Sequence, residues 1–252
     1  MSSQPPRHFY TGLVAATYRY LRSATFDPAP YERFVRRFGE PGLELGCGDG
    51  DPLLDLVASG LDVEGLDASS DMLDRCRRAA EQRGLDVTLH LAGMEDMDLR
   101  RRYQSIYLAG ATFNLLADDA TAGGALGRIA AHLEPDGMAL VPLTIPTPTP
   151  PKDLGNYREH VTEDGTTMRV GVVAEERDEA GRLQVAHLRY ELAHDGGVVE
   201  STERSWVLHW HTQPDFKALA DAAGLSVVAV LDPEGGPARP DATTFVFLLR
   251  PQ

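Results

Sequence analysis

The chain has 252 residues, 42% hydrophobic and 25% charged, enough for one substantial core and a small appended unit. Lys and Arg number 24 against 38 Asp and Glu, and the formal net charge of -14 repels a nucleic-acid backbone and favours small neutral or cationic partners. Two cysteines, an opening Met1-Ser2-Ser3-Gln4-Pro5-Pro6 without a charged-then-apolar leader, and no apolar run near the roughly 20 residues of a membrane span predict a cytoplasmic chain with no membrane partner.

From His8 to Phe38, apolar and aromatic residues recur at helical spacing, with Tyr10, Leu13, Val14, Thr17 and Leu21 in one stripe, and Pro28 and Pro30 divide the stretch into two short helices. Gly42-Leu43-Glu44-Leu45 reads as a buried strand and Asp51 to Ser59 as the helix after it. Strands follow at Leu61 to Leu66, Val87 to Leu91, Ser105 to Ala109 and Met138 to Leu143, the last after a Pro135-Asp136-Gly137 turn, with helices at Ser70 to Arg83 and Ala120 to His132. The run Arg100-Arg101-Arg102 reads as a solvated loop. This alternation predicts an α/β fold with a parallel sheet and crossover helices. Beyond a proline-rich connector at Ile145 to Pro151, Met168 to Trp210 holds three alternating runs without a helix, an antiparallel insertion, before the α/β pattern returns with Pro214 to Ala223, Leu225 to Leu231 and Thr243 to Leu249. The division is 1–40 for amino-terminal helices, 41–145 with 214–252 for the core, and 146–213 for the insertion.

The segment Glu44-Leu45-Gly46-Cys47-Gly48-Asp49-Gly50 lies where the first strand gives way to a helix, where glycines let a ligand approach the backbone. Asp67 ends the second strand, 21 positions after Gly46, where a carboxylate accepts both ribose hydroxyls of a nucleoside cofactor. A bare strand-to-helix turn uses the same glycines, and Asp67 alone suits a helix cap, but the two together form a cofactor pattern. A dinucleotide site carries G-x-G-x-x-G, whereas here the third glycine is Gly50 and Asp49 and Asp51 bring negative charge where a pyrophosphate needs positive potential. A nicotinamide-dependent oxidoreductase is therefore disfavoured. S-adenosylmethionine has no phosphate and carries sulfonium and ammonium charges, so these acids do not oppose it.

ELGCGDG followed by GLDASSDML resembles the first two cofactor motifs of class I small-molecule methyltransferases, and the wider chain is similar to enzymes that methylate amino sugars, amines and other natural products. The resemblance implies a Rossmann-like methyltransferase core with a mostly parallel seven-stranded sheet, a helical lid, and the insertion before the sixth strand. It implies S-adenosyl-L-methionine as cofactor and S-adenosyl-L-homocysteine as product, with the motif residues Glu44, Gly46, Cys47, Gly48, Asp67 and Ala68 holding the methionine and ribose parts. Met72 and Met94 match positions beside the adenine, Ala109 the methyl-transfer region with Phe113 and Asn114 close by, and Tyr10 and Tyr18 the closing lid. The family's acidic residue before that methionine is here Gly93. Glu95 or a backbone carbonyl is the substitute for adenine recognition, and Gly93→Asp is expected to tighten binding.

An activated methyl group requires an aligned nucleophile and excluded water, with a base only if the nucleophile arrives protonated. His209, His211, His160 and Tyr157 are the candidates in that order, for proton transfer or substrate orientation, with Tyr190 and Trp210 as further substrate contacts. Along a strand His209 and His211 share one face, and Trp206, Leu208 and Trp210 the other. Only one face can line the pocket, with the histidine face preferred. His187 and His194 do not complete a metal set, so no metal is expected. A monomer or homodimer acting on a small molecule is the resulting picture, with a non-enzymatic cofactor-binding scaffold as the rival reading.

Overall fold

Short buried apolar runs separated by helices set the chain order. The helices are α1 (Gly12–Leu21), α2 (Ala29–Phe38), α3 (Leu53–Ala58), α4 (Ser70–Gln82), α5 (Asp119–His132) and α6 (Gln213–Ala222). The strands are β1 (Gly42–Leu45), β2 (Val63–Asp67), β3 (Leu89–Leu91), β4 (Tyr103–Leu108), β5 (Leu133–Thr144), β6 (Tyr157–Val161), β7 (Thr167–Asp178), β8 (Leu183–His194), β9 (Gly197–His209), β10 (Leu225–Leu231) and β11 (Thr244–Pro251). The structure, a computed structural model, describes residues 9–22 and 26–252, so the expected helix start at His8 and the Met1 to Pro6 opening lie outside the described residues.

Seven strands form one sheet in the order β10-β11-β5-β4-β1-β2-β3. Only β11 runs antiparallel to its neighbours. Central strands are buried on both faces, which is why Gly42-Leu43-Glu44-Leu45 shows no in-out alternation. On one face Leu126 and Ile129 of α5 pack with Phe216 of α6, Phe245 and Phe247. On the other, Phe34 and Val35 of α2 join Leu53, Leu54 and Leu56 of α3 and Leu73 and Cys76 of α4. This is the Rossmann-like methyltransferase layering. Among the described residues no helix is long and apolar enough to cross a membrane.

A second, antiparallel sheet has the order β6-β7-β8-β9 and falls between β5 and β10, ahead of the sixth strand of the main sheet. Three of its strands correspond to the runs read from the sequence, but β6 does not, because Arg158 and Glu159 are exposed and leave no alternation to detect. The expected Pro135-Asp136-Gly137 turn is an excursion inside β5. The ladder with β4 pairs Tyr103 with Leu133 and Ser105 with Met138, so the intervening residues bulge outward. The arginine run is the exposed loop expected, tethered at two points: Arg101 pairs with Glu64 at 2.6 Å, and Arg102 donates to the Leu133 carbonyl at 2.8 Å.

Asn114, expected at the substrate, joins the two sheets instead. Its Nδ2 donates to the carbonyls of Thr144 (2.9 Å) and His209 (3.0 Å), and its Oδ1 accepts from the Thr144 amide (3.2 Å). The side chain is wholly buried and every hydrogen bond is internal, and the neighbouring Phe113 ring packs edge-on against Phe216 at 5.3 Å. Both residues are thus committed to packing. Asn114→Ala would leave buried backbone groups at the ends of β5 and β9 unpaired. A loss of about 1–3 kcal/mol in urea unfolding, with the slope unchanged, is the expected outcome.

Candidate functional site

The chain leaves β1 through a glycine turn at the carboxyl edge of the parallel strands, where open α/β sheets bind ligands. Gly46 and Gly48 have φ of +73° and +54°. A Cβ on Gly46 would also stand 2.5 Å from the Thr112 methyl, so both conformation and space require glycine. Leu45 pairs with Leu66 in parallel register, which brings Asp67 level with the turn. The Asp67 carboxylate accepts the Gly48 amide on Oδ2 at 2.9 Å and the Ser69 amide on Oδ1 at 2.8 Å. Burial raises its pKa against the pull of these donors.

The helix α1 is fastened over this edge at several points. The Ser69 hydroxyl caps α4 by accepting the Met72 amide at 3.2 Å and donates to the Tyr10 carbonyl at 2.6 Å, while Asp71 accepts the Gly12 amide at 2.7 Å. Farther along, Arg19 lies 3.3 Å from Asp49, and Arg22 lies 2.5 Å from Asp51. The acids read as free negative charge beside the cofactor are therefore neutralised by α1.

Between the glycine turn, α1 and the 3-10 turn Thr112–Leu115 lies a cavity of about 580 Å³. Its walls include Gly46, Gly48, Asp67, Ala68, Met72, Gly93, Met94 and Glu95, with Tyr18 contributed by α1 and Tyr10 by the segment just before it. Thr112, Leu115 and Leu116 close the far end and carry no distinctive motif, so the sequence reading missed them. Asp67, Glu95 and Asp96 line the cavity and no Arg or Lys does among the described residues. That donor set fits a cationic nucleoside such as S-adenosylmethionine and opposes a pyrophosphate. Asp67 would hold the ribose, and Met72 and Met94 offer flexible apolar surface to a base.

Three expected cofactor contacts lie outside the cavity walls. Cys47 turns its thiol away, toward Gly65 in the α3 and α4 core, and burial pushes its pKa up. Glu44 is fully buried, bonded through Oε2 to the Tyr107 hydroxyl at 2.9 Å, with Oε1 unpartnered and its pKa held well above the carboxylate range by burial. Ala109 is buried, with its carbonyl accepting the Thr112 hydroxyl at 3.0 Å.

The preference for the histidine face is corrected as well. His209 and His211 pack against Asp119 of α5, and His211 lies 6.1 Å from the Phe113 ring, so neither borders the cavity. It is the opposite face of β9 that meets α1: Trp206, Tyr190, Leu188 and Val170 cluster with Phe9, Leu13 and Val14. Tyr190 is buried against Phe9 at 6.5 Å, and His160 stacks on Tyr20 of α1 at 4.8 Å. Tyr157 lies under the Arg169 guanidinium at 4.9 Å, and Trp210 under that of Arg177 at 4.1 Å. These last two are engaged in packing within the second sheet and its connector.

Strand order, glycine turn, the acid that ends β2 and the cation-tolerant cavity together define a methyltransferase of the nucleoside-cofactor type. Residues 43–137 match the methyltransferase domain family. The chain is 32% identical over 232 residues to the dTDP-3-amino-3,6-dideoxy-alpha-D-glucopyranose N,N-dimethyltransferase of Streptomyces fradiae, covering 88% of this chain and 87% of that protein. It is 29% identical to the dTDP-3-amino-3,4,6-trideoxy-alpha-D-glucopyranose N,N-dimethyltransferase of Streptomyces venezuelae, covering 77% and 78%. The solved CcbJ methyltransferase from Streptomyces caelestis shares the fold, with a TM-score of 0.77 at 21% identity over 96% of this chain and 98% of that one. The chain belongs to the S-adenosylmethionine-dependent methyltransferases.

The departure at Gly93 has a structural counterpart. A Cβ built there would stand 2.7 Å from both carboxylate oxygens of Glu95, which folds back over the glycine and makes no hydrogen bond to a described residue. Glu95 thus occupies the space an acidic side chain at 93 would take. Gly93→Asp would require the flexible carboxylate end of Glu95 to swing aside, which leaves room for the new acid beside the adenine, so S-adenosylhomocysteine affinity measured by calorimetry should rise about 10-fold, a 1.4 kcal/mol effect.

Proposed function

We propose that this methyltransferase transfers its methyl group to an amine of a small, sugar-like natural-product precursor, working in the cytoplasm as a monomer or homodimer. S-adenosylmethionine supplies a methyl group already activated for displacement, so the chain's task is to align the acceptor and exclude water. The observation that carries the reading is the character of the groups that α1 and the residues just before it present. Burial pushes the Tyr18 phenol up to about 12 and raises Tyr10 further, so at neutral pH both are protonated donors and neither is a base. No histidine lines the cavity among the described residues. An unprotonated amine brings its own lone pair to such a site, whereas an alcohol needs its proton removed. Both relatives are N,N-dimethyltransferases of dTDP-linked amino sugars, which supports the same choice.

The acceptor side of the cleft is assigned to the stretch 146–213 together with α1. The core strands are committed to the cofactor edge, and the sheet face bearing Tyr190 and Trp206 is the one turned toward α1. Tyr190 and Trp206 pack on Phe9 behind this wall of the cleft, and the Tyr10 and Tyr18 hydroxyls, which border the cavity, can orient the acceptor's polar groups. With an amino-sugar nucleotide as acceptor, methyl transfer should occur and kcat/KM should rise with pH through the ionisation of the acceptor amine. The inflection should move when an acceptor of different amine pKa is used. Transfer to the matching hydroxy sugar, or an inflection that stays fixed across acceptors, would contradict the proposal.

A further inference from the structure

We propose that Asp119, His209 and His211 form a binding site for a divalent transition metal of the zinc type, fastening the end of the second sheet to the start of α5. Asp119 opens α5, His209 ends β9 and His211 follows two residues later, so the set joins segments about ninety residues apart in sequence. That separation hides it from any search for local ligand spacing.

Donor geometry makes the first argument. Asp119 Oδ1 lies 3.6 Å from His209 Nε2 and 3.5 Å from His211 Nδ1, and one ligand atom from each of the three residues falls within 4.8 Å of the others. The two distances to Asp119 are long for hydrogen bonds, but lie close to the edge of about 3.3–3.5 Å that ligands at zinc distances subtend in a tetrahedron. Unmet polar need makes the second. The His209 and His211 side chains are 4% and 0% exposed, yet the nitrogens that face Asp119, His209 Nε2 and His211 Nδ1, approach its carboxylate no closer than 3.5 Å. The nearest donor to His211 Nδ1 is Arg182 Nη1, at 3.4 Å. Two buried imidazoles with such weak hydrogen bonding are costly unless something else binds them. Burial lowers the pKa of both, His211 to about 4, and so leaves the neutral rings a metal requires.

Arg182 is the competing cation. It pairs with Asp119 through Oδ2, leaving Oδ1 toward the imidazoles, and lies 3.4 Å from Asp215. Metal binding therefore requires this side chain, which hangs from the β7–β8 turn, to withdraw and free Asp215 or a water as the fourth ligand. None of the three ligands borders the cofactor cavity, so the role is structural and independent of the acceptor's identity.

The test is titration of the chelator-stripped full chain with Zn²⁺ by calorimetry and with Co²⁺ by visible absorption. One equivalent and tetrahedral cobalt bands are expected. Asp119→Asn, a conservative change at a half-exposed helix start, should weaken Zn²⁺ beyond the roughly 10–100-fold typical of an outer-shell change. Arg182→Ala should tighten it, and His194→Ala, on an exposed turn, should leave it unchanged. Absence of stoichiometric binding, or binding that survives Asp119→Asn in a folded protein, would overturn the proposal.

Discussion

Much of the site depends on one carboxylate held by two backbone amides. Asp67 takes the Gly48 N–H on one oxygen and the Ser69 N–H on the other, so a single side chain fixes the glycine turn and the entry to α4. The parallel register of β1 with β2 delivers Asp67 to that position, and the glycine conformations let the turn reach it. The same carboxylate borders the cavity, so the group that orders the turn is also placed to accept hydroxyls from it. Organising the loop and binding the cofactor would thus be two uses of one side chain.

The helix α1 extends this arrangement outward. One side is bonded to α4 through Ser69 and Asp71 and to the glycine turn through Arg19 and Arg22, while another is packed into the second sheet by Leu13 and Val14. The acids of the turn consequently hold α1 in place, and the cavity keeps its acidic character from Asp67, Glu95 and Asp96. The same ten-residue helix borders the cavity through Tyr18 and packs on the second sheet through Leu13 and Val14, which links the two mechanically.

The core was legible because its signals are local. Buried runs such as Gly42 to Leu45, the G-x-G turn and the acid ending β2 are set by chain geometry within a single β-α-β unit. What was not legible depends on side chains meeting across the fold. Asn114 reads as a pocket residue in its segment, but its hydrogen bonds reach Thr144 and His209 in other strands. The choice between the two faces of β9 was open because period two gives the partition and not the partner. Phe9 and α1 took the tryptophan face, leaving the histidines to α5. Glu95 folding over Gly93 is a contact two residues apart, yet it depends on the backbone path around Gly93, which composition does not reveal.

The most direct test of the central claim is calorimetric titration of S-adenosylhomocysteine into the wild-type chain and into Asp67→Ala. Removing the carboxylate should weaken binding by about 2 kcal/mol, roughly 30-fold, through the loss of charge-assisted hydrogen bonds to the ribose. Undiminished affinity in the folded variant would contradict the assignment of this cavity.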